Sequence, residues 1–152
     1  MNNIKTLGNE LTKNNQTCTV KTVNVIGDTP VLPLFLKNYA ALIEKGYAPQ
    51  VMNGTNQSKA VYVEINNQIV GHIVFDVMKD SFNTAYIILS CVDEKYQNQG
   101  IYKIMFKHFE SIVKKLGSTK ILSFIHADNQ NRLAIWKSVG MIPQFYRMEK
   151  RI

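Results

Sequence analysis

One stretch, Ala85 to Leu116, restricts the fold more than any other part of the chain. It holds an apolar run (Tyr86, Ile87, Ile88, Leu89, Cys91, Val92), a polar turn ending in Gln97-Asn98-Gln99-Gly100-Ile101-Tyr102, and then a helical pattern. Ile101, Ile104, Met105, Phe109, Ile112, Val113 and Leu116 recur at three- and four-residue steps, while Lys103, Lys107, Glu110, Lys114 and Lys115 fall between them, which predicts a helix with one buried and one wet face. A further β-like run follows at Lys120 to His126. A strand, a crossover helix and a strand in one sheet require the two strands to run parallel. All-helical and purely antiparallel folds are thereby excluded.

The junction at Gly100 also suggests chemistry. The first N–H groups of a helix have no partner within it and carry the positive end of its dipole, so a phosphate or pyrophosphate suits that place. Glycine lets the backbone turn sharply and approach a ligand closely. Taken alone, a glycine between a strand and a helix is simply a tight connection, and the loop needs support from elsewhere in the chain.

The rest of the chain reads in order. Residues 1–17 are polar and rich in Asn and form a loosely ordered arm; residues 18–152 form one domain. The β-branched run from Thr17 to Ile26 suits a strand, closed by Gly27-Asp28. Thr29 and Pro30 offer an N-cap and first helical residue for a helix carrying Leu32, Phe35, Leu36, Tyr39, Leu42 and Ile43, ending at Gly46. Three antiparallel strands follow at Ala60 to Ile65, Gln68 to Met78 and Asn83 to Val92, the first two joined by Asn66-Asn67, residues that tolerate the positive φ of a tight hairpin. After the long helix and the strand at Lys120 to His126, a short helix occupies Asn129 to Val139, and Gln144 to Ile152 makes a last strand. The predicted class is α/β: a mixed, mostly antiparallel sheet with one parallel pair.

Composition narrows the partners. Of 152 residues 45% are hydrophobic, enough for a core, yet no apolar run approaches the ~20 residues that span a bilayer, and the first residues lack the apolar stretch of a secretory signal. A soluble cytoplasmic protein is expected, with no membrane partner. Cys18 and Cys91 show no C-x-x-C spacing and read as small buried hydrophobes; His72, His108 and His126 show no H-x-x-x-H spacing, so no metal is expected. The net charge of +7 favours anionic ligands, whether a nucleotide cofactor, an acidic substrate or nucleic acid. Its lysines are spread along the chain, so no motif singles out nucleic acid. No Gly-Lys-Ser/Thr follows Gly100, which argues against a nucleoside triphosphate loop.

The residues resemble the GNAT superfamily of acyl-coenzyme A dependent N-acetyltransferases. Its signature is Gln or Arg, two residues, Gly, one residue, then Gly or Ala; Gln97-Asn98-Gln99-Gly100-Ile101-Tyr102 matches the first four positions and departs at the last. Cys91-Val92-Asp93-Glu94-Lys95-Tyr96 is similar to the family's approach to that loop. His126-Ala127-Asp128-Asn129, with Asn131 to Met141 behind it, is similar to the family's stretch from a strand-end Asn to a helix closing on Gly-Phe. The likeness covers residues 18–152.

The resemblance implies that the fourth and fifth predicted strands splay at a bulge near Leu89 to Cys91, with coenzyme A in the gap. Backbone groups of Ser90, Cys91 and Val92 would pair with the pantetheine arm, and the N–H groups of Gln97, Asn98, Gln99, Gly100, Ile101 and Tyr102 would hold the pyrophosphate. Asn129 would contact the coenzyme amides, with Trp136 on the same helix also at the coenzyme. Acetyl-CoA would donate to a primary amine entering against the helix of residues 30–45 and the hairpin near Asn66. The family often places a Tyr where this chain has Trp136, and an indole N–H does not release a proton in this pH range. His126 as base or acid and Tyr146 as acid are the named substitutes. Glu64 reads rather as an exposed strand carboxylate, and Ser90 as a backbone contributor. The other reading is a GNAT-shaped binding module without turnover, for a protein or nucleic acid; the family likeness also leaves a homodimer open.

Overall fold

The computed structural model describes residues 3–48, 56–144 and 148–150. Among these residues six strands form one sheet in sequence order: β1 (Ile4–Leu11), β2 (Thr17–Val23), β3 (Lys59–Ile65), β4 (Gln68–Val77), β5 (Ala85–Val92) and β6 (Ile121–Ser123). Each neighbouring pair is antiparallel except β5 and β6, which are parallel. The helices are α1 (Val31–Glu44) between β2 and β3, α2 (Ile101–Lys115) between β5 and β6, and α3 (Gln130–Ser138) after β6. The mixed, mostly antiparallel sheet with one parallel pair is the architecture that the strand-helix-strand unit demands.

Both faces of the sheet are covered, so its strands are apolar on both sides. On one face Phe35 and Tyr39 of α1 pack with Val23, Tyr62, Val74 and Leu89. On the other, α2 buries Met105, Phe106, Phe109 and Val113 against Val61, Val63, Ile73 and Ile87, and Trp136 of α3 joins this cluster. Phe109 meets Phe75 edge-on at 4.9 Å and 72°, a preferred aromatic geometry. The buried stripe of α2 is rotated from the expected one. Tyr102 and Phe106 are buried, whereas Ile104 and Ile112 are half-buried and Leu116 is 46% exposed; the Tyr102 ring also meets Arg132 of α3.

The turn chemistry follows the sequence. Asn66 and Asn67 take φ +51° and +62° between β3 and β4, as a two-residue hairpin requires. Thr29 does not cap α1: its hydroxyl donates to the Ile26 carbonyl at 2.6 Å, and Pro30 stands at the N-cap.

The N-terminal segment corrects the expectation of a loose arm. Residues Ile4–Leu11 form β1 and pair with β2 from Ile4↔Val23 to Leu11↔Thr17. An edge strand needs few apolar residues, since its backbone hydrogen bonds run to one neighbour; Ile4 and Leu7 supply the packing, and the Asn and Thr residues that obscured the pattern are tolerated at the rim. The strand read at Lys120 to His126 shortens to three residues, and its truncation opens the cleft described below. In the expected strand at Gln144 to Ile152, positions 145–147 and 151–152 lie outside the described residues, and Gln144 and residues 148–150 are not in a strand.

Candidate functional site

The parallel pair parts soon after it forms. β6 meets β5 at Ala85↔Ile121, Tyr86↔Leu122 and Ile87↔Ser123, and the Ser123 hydroxyl donates to the Ile87 carbonyl at 2.8 Å. On its other side β5 pairs with β4 through Gly71↔Val92, but the register shifts so that Val74 faces Leu89 and Phe75 faces Ile87. Ile88 is therefore the bulged residue, nearer the start of the strand than the expected Leu89 to Cys91. A bulge twists a strand away from its neighbour, and here it coincides with the end of β6 pairing. The resulting cleft is lined by Ile88, Leu89 and Ser90 on one wall and by Ser123, Ile125 and His126 on the other, with Asn129, Arg132 and Trp136 of the α3 region.

At the head of this cleft α2 begins with free amides. Asp93 caps a single 3-10 turn, its carboxylate accepting from the Lys95 N–H at 2.9 Å. The Gln97 side chain then donates to the Val92 carbonyl at 3.1 Å, and that of Gln99 to the Lys95 carbonyl at 3.3 Å, which folds the loop back onto the end of β5. Asn98 and Gly100 take φ +62° and +82°, a backbone form that turns successive N–H groups to one side. No side chain caps α2, and its first turn holds no acidic residue. Sequence reading missed Lys13, in the turn between β1 and β2. Its N–H donates to the Gln99 carbonyl at 2.9 Å, and a Cβ on Gly100 would sit 3.4 Å from its Cγ. The N-terminal hairpin thus brings a cation beside the loop.

Tyr102, at a position where the resemblance calls for a small residue, points inward. It is 8% exposed and stacks on Phe106 at 6.1 Å and 26°. Its hydroxyl lies 3.2 Å from Ser90 Oγ, the Arg132 guanidinium lies 5.8 Å from its ring, and Arg132 Nη1 donates to Ser90 Oγ at 3.4 Å. Burial pushes the phenol up from its ordinary value, opposed by the Ser90 hydrogen bond, by the charge of Arg132 and by the nearby Trp136. Trp136 is 7% exposed, packs in the core and lines the cleft, with its indole Nε1 buried and without a hydrogen-bond partner among the described residues.

His126 lies just beyond β6 on the cleft wall. Its Nδ1 accepts from the Asp128 N–H at 3.2 Å, and its ring meets Tyr47 at 5.5 Å. Asn129 lines the cleft and uses its Oδ1 as the N-cap of α3, accepting from the Arg132 N–H at 3.3 Å. Tyr146 lies outside the described residues. Glu64 forms an ion pair with Lys21 at 2.6 Å and is only 14% exposed in its side chain, away from the cleft lining.

Cys91 corrects its reading as a plain buried hydrophobe. Its thiol is hydrogen-bonded, 3.2 Å from His72 Nε2 and 3.1 Å from the Asn38 amide, which also lies 3.0 Å from His72 Nε2. Burial pushes the Cys91 thiol up to about 11 and the His72 imidazole down to about 4, so both are neutral near pH 7. Nothing in the apolar run Val70-Gly71-His72-Ile73 marks this cluster; only the apposition of α1, β4 and β5 assembles it.

The sequence profile of the acetyltransferase (GNAT) family matches residues 32–141, from the start of α1 to just past α3. The chain belongs to the acetyltransferase (GNAT) family. As a GNAT protein it is an N-acetyltransferase. Solved structures share the fold. The aminoglycoside acetyltransferase meta-AAC0020 from an uncultured soil metagenomic sample is 18% identical, with a TM-score of 0.64 over 88% of this chain and 97% of that one. The ribosomal-protein-alanine N-acetyltransferase from Brucella melitensis biovar Abortus 2308 is 10% identical, with a TM-score of 0.66 over 89% and 99%. The aminoglycoside N-acetyltransferase AAC(6')-Iy, solved in complex with CoA, is 10% identical, with a TM-score of 0.60 over 88% and 99%. No curated protein matches the sequence.

Proposed function

We propose that this GNAT protein transfers an acetyl group from acetyl-CoA to a primary amine by direct attack of the amine on the thioester. One observation carries the reading: β5 loses its β6 partner after Ile87, beside the uncapped N-terminus of α2. An unpaired strand edge at Ile88 to Val92 suits an extended amide-bearing arm, and the amides of Asn98 to Tyr102, with Lys13 beside them, suit a diphosphate; the Gln97 N–H is already given to the Glu94 carbonyl at 3.4 Å. Ser90, Cys91 and Val92 would offer backbone groups, the Asn129 NH₂ a further donor, and Trp136 an apolar wall.

A primary amine with a pKa near ~10.4 is mostly charged at neutral pH and must lose a proton before it attacks. His126, on the cleft wall, is the base in this reading. The oxyanion would meet a backbone N–H at the bulge around Leu89, where such a donor is held in place before reaction. The acceptor enters on the α1 side, and its class is open among aminoglycosides, peptide N-termini and lysine side chains.

The test is a melting-temperature titration with acetyl-CoA, followed by thiol release with sisomicin, a peptide starting with alanine, a lysine peptide and hydroxylamine. Binding at ~100 times the dissociation constant should add about 2.7 kcal/mol to stability. No stabilisation would reject the reading and leave the binding module without turnover; nucleic-acid binding that weakens steeply with salt would then identify its ligand class.

A further inference from the structure

Acyl transfer leaves a thiolate that needs a proton, and Trp136 does not supply one. A phenol does stand behind the cleft, but it comes from α2. Ser90 Oγ lies between Tyr102 Oη at 3.2 Å and Arg132 Nη1 at 3.4 Å. Arginine only donates, and a hydroxyl has two acceptor sites and one proton. Either hydroxyl of the Ser90–Tyr102 pair can be the donor; in the arrangement where Tyr102 donates, both acceptor sites of Ser90 are filled, and its own proton is left to point elsewhere. The open side is the cleft, which Ser90 and Arg132 line and from which the Tyr102 ring is set back. We propose that Ser90 is the catalytic acid for the leaving thiolate and Tyr102 the positioning residue that orients it and refills its proton. This inference rests on the acetyl-transfer reading.

The proton count closes. One proton leaves the ammonium for His126, and from there for solvent, before attack; the second leaves the nitrogen for solvent once the N–C bond has formed, and the C–S bond breaks with its electron pair on sulfur. Sulfur takes a proton from Ser90 Oγ, Ser90 takes one from Tyr102, and Tyr102 recovers one from solvent, so one proton is released per turnover. The Arg132 guanidinium, stacked on the ring, stabilises the transient phenolate. The phenol that the family often carries on the last helix is thus supplied by the first turn of the central one.

The test compares wild type with Ser90→Ala, Ser90→Thr and Tyr102→Phe, using acetyl-CoA with the amines named above and reading thiol release. Ser90→Ala and Tyr102→Phe should each lower kcat by about 10²-fold or more, with KM for acetyl-CoA within about threefold of wild type. Ser90→Thr, which keeps the hydroxyl, should stay within about tenfold. A melting-temperature shift with acetyl-CoA equal to that of wild type shows that each variant is folded and binds. Tyr102→Phe or Ser90→Ala with kcat within about threefold of wild type overturns the relay and leaves acetyl transfer standing. A loss confined to KM also overturns it, as does a wild type that binds acetyl-CoA but releases no thiol. A wild type that is not stabilised by acetyl-CoA overturns the functional reading itself.

Discussion

His72 is fully buried in β4, with Nε2 held by Asn38 and Cys91 and with Nδ1 lacking a hydrogen-bond partner among the described residues. Its folded pKa, about 4, lies below the ordinary 6.5 because burial disfavours the charged ring. Between those values the unfolded chain binds a proton that the folded one refuses, so stability is full above pH 6.5 and falls as the pH drops toward 4. The fall attributable to His72 is on the order of 3 kcal/mol. Urea unfolding at pH 7 and pH 4.5 should show it, and His72→Asn should flatten that difference even if it lowers stability at both values. An equal acid loss in wild type and variant would remove His72 from the account. At this scale the sequence was informative where local chemistry decides, as at Gly100 and the Asn66-Asn67 turn. It was silent on His72, Lys13 and Arg132, whose partners come from other elements.

The junction of β5 and α2 was read from sequence nearly to the residue, because a switch from continuous apolar character to helical periodicity is a local signal. Gly100 holds it at φ +82°. Gly100→Val should abolish stabilisation by acetyl-CoA, since a β-branched residue resists that φ and its side chain would crowd Lys13; the backbone strain is of order 1–3 kcal/mol. The variant should still melt cooperatively, and undiminished acetyl-CoA affinity in it would argue against the loop as the diphosphate site. The apolar run at Lys120 to His126 predicts a strand four residues longer than β6, because Phe124 and Ile125 continue the run while the chain has already left the sheet. Phe124 is 76% exposed. Pairing ends there because the bulge at Ile88 turns β5 away, which the sequence of β6 does not encode.

Across the whole molecule, β1 joins the sheet edge to the far helix. Glu10 lies 3.0 Å from His108 Nε2 and 3.7 Å from Lys107 Nζ of α2, and its carboxyl is held below its ordinary value chiefly by the His108 hydrogen bond. Deleting residues 1–11 should lower the melting temperature by roughly 5 °C or more, the equivalent of about 2 kcal/mol for a domain of this size. An unchanged melting temperature would return the segment to the loose arm that its Asn-rich sequence suggests. Among the described residues no helix is long and apolar enough to cross a membrane.

The sequence by itself determined the α/β class, the parallel crossover, the Gly100 loop and the likeness to acyl-CoA dependent transferases, because each is written in residues adjacent along the chain. Tertiary structure decided the position of the bulge, the pairing of β1, the inward turn of Tyr102 and the meeting of Ser90 with Arg132. The contacts of Ser90 with Tyr102 and Arg132 join residues 12 and 42 positions apart, and only the closing of helices onto a twisted sheet brings them within hydrogen-bonding distance.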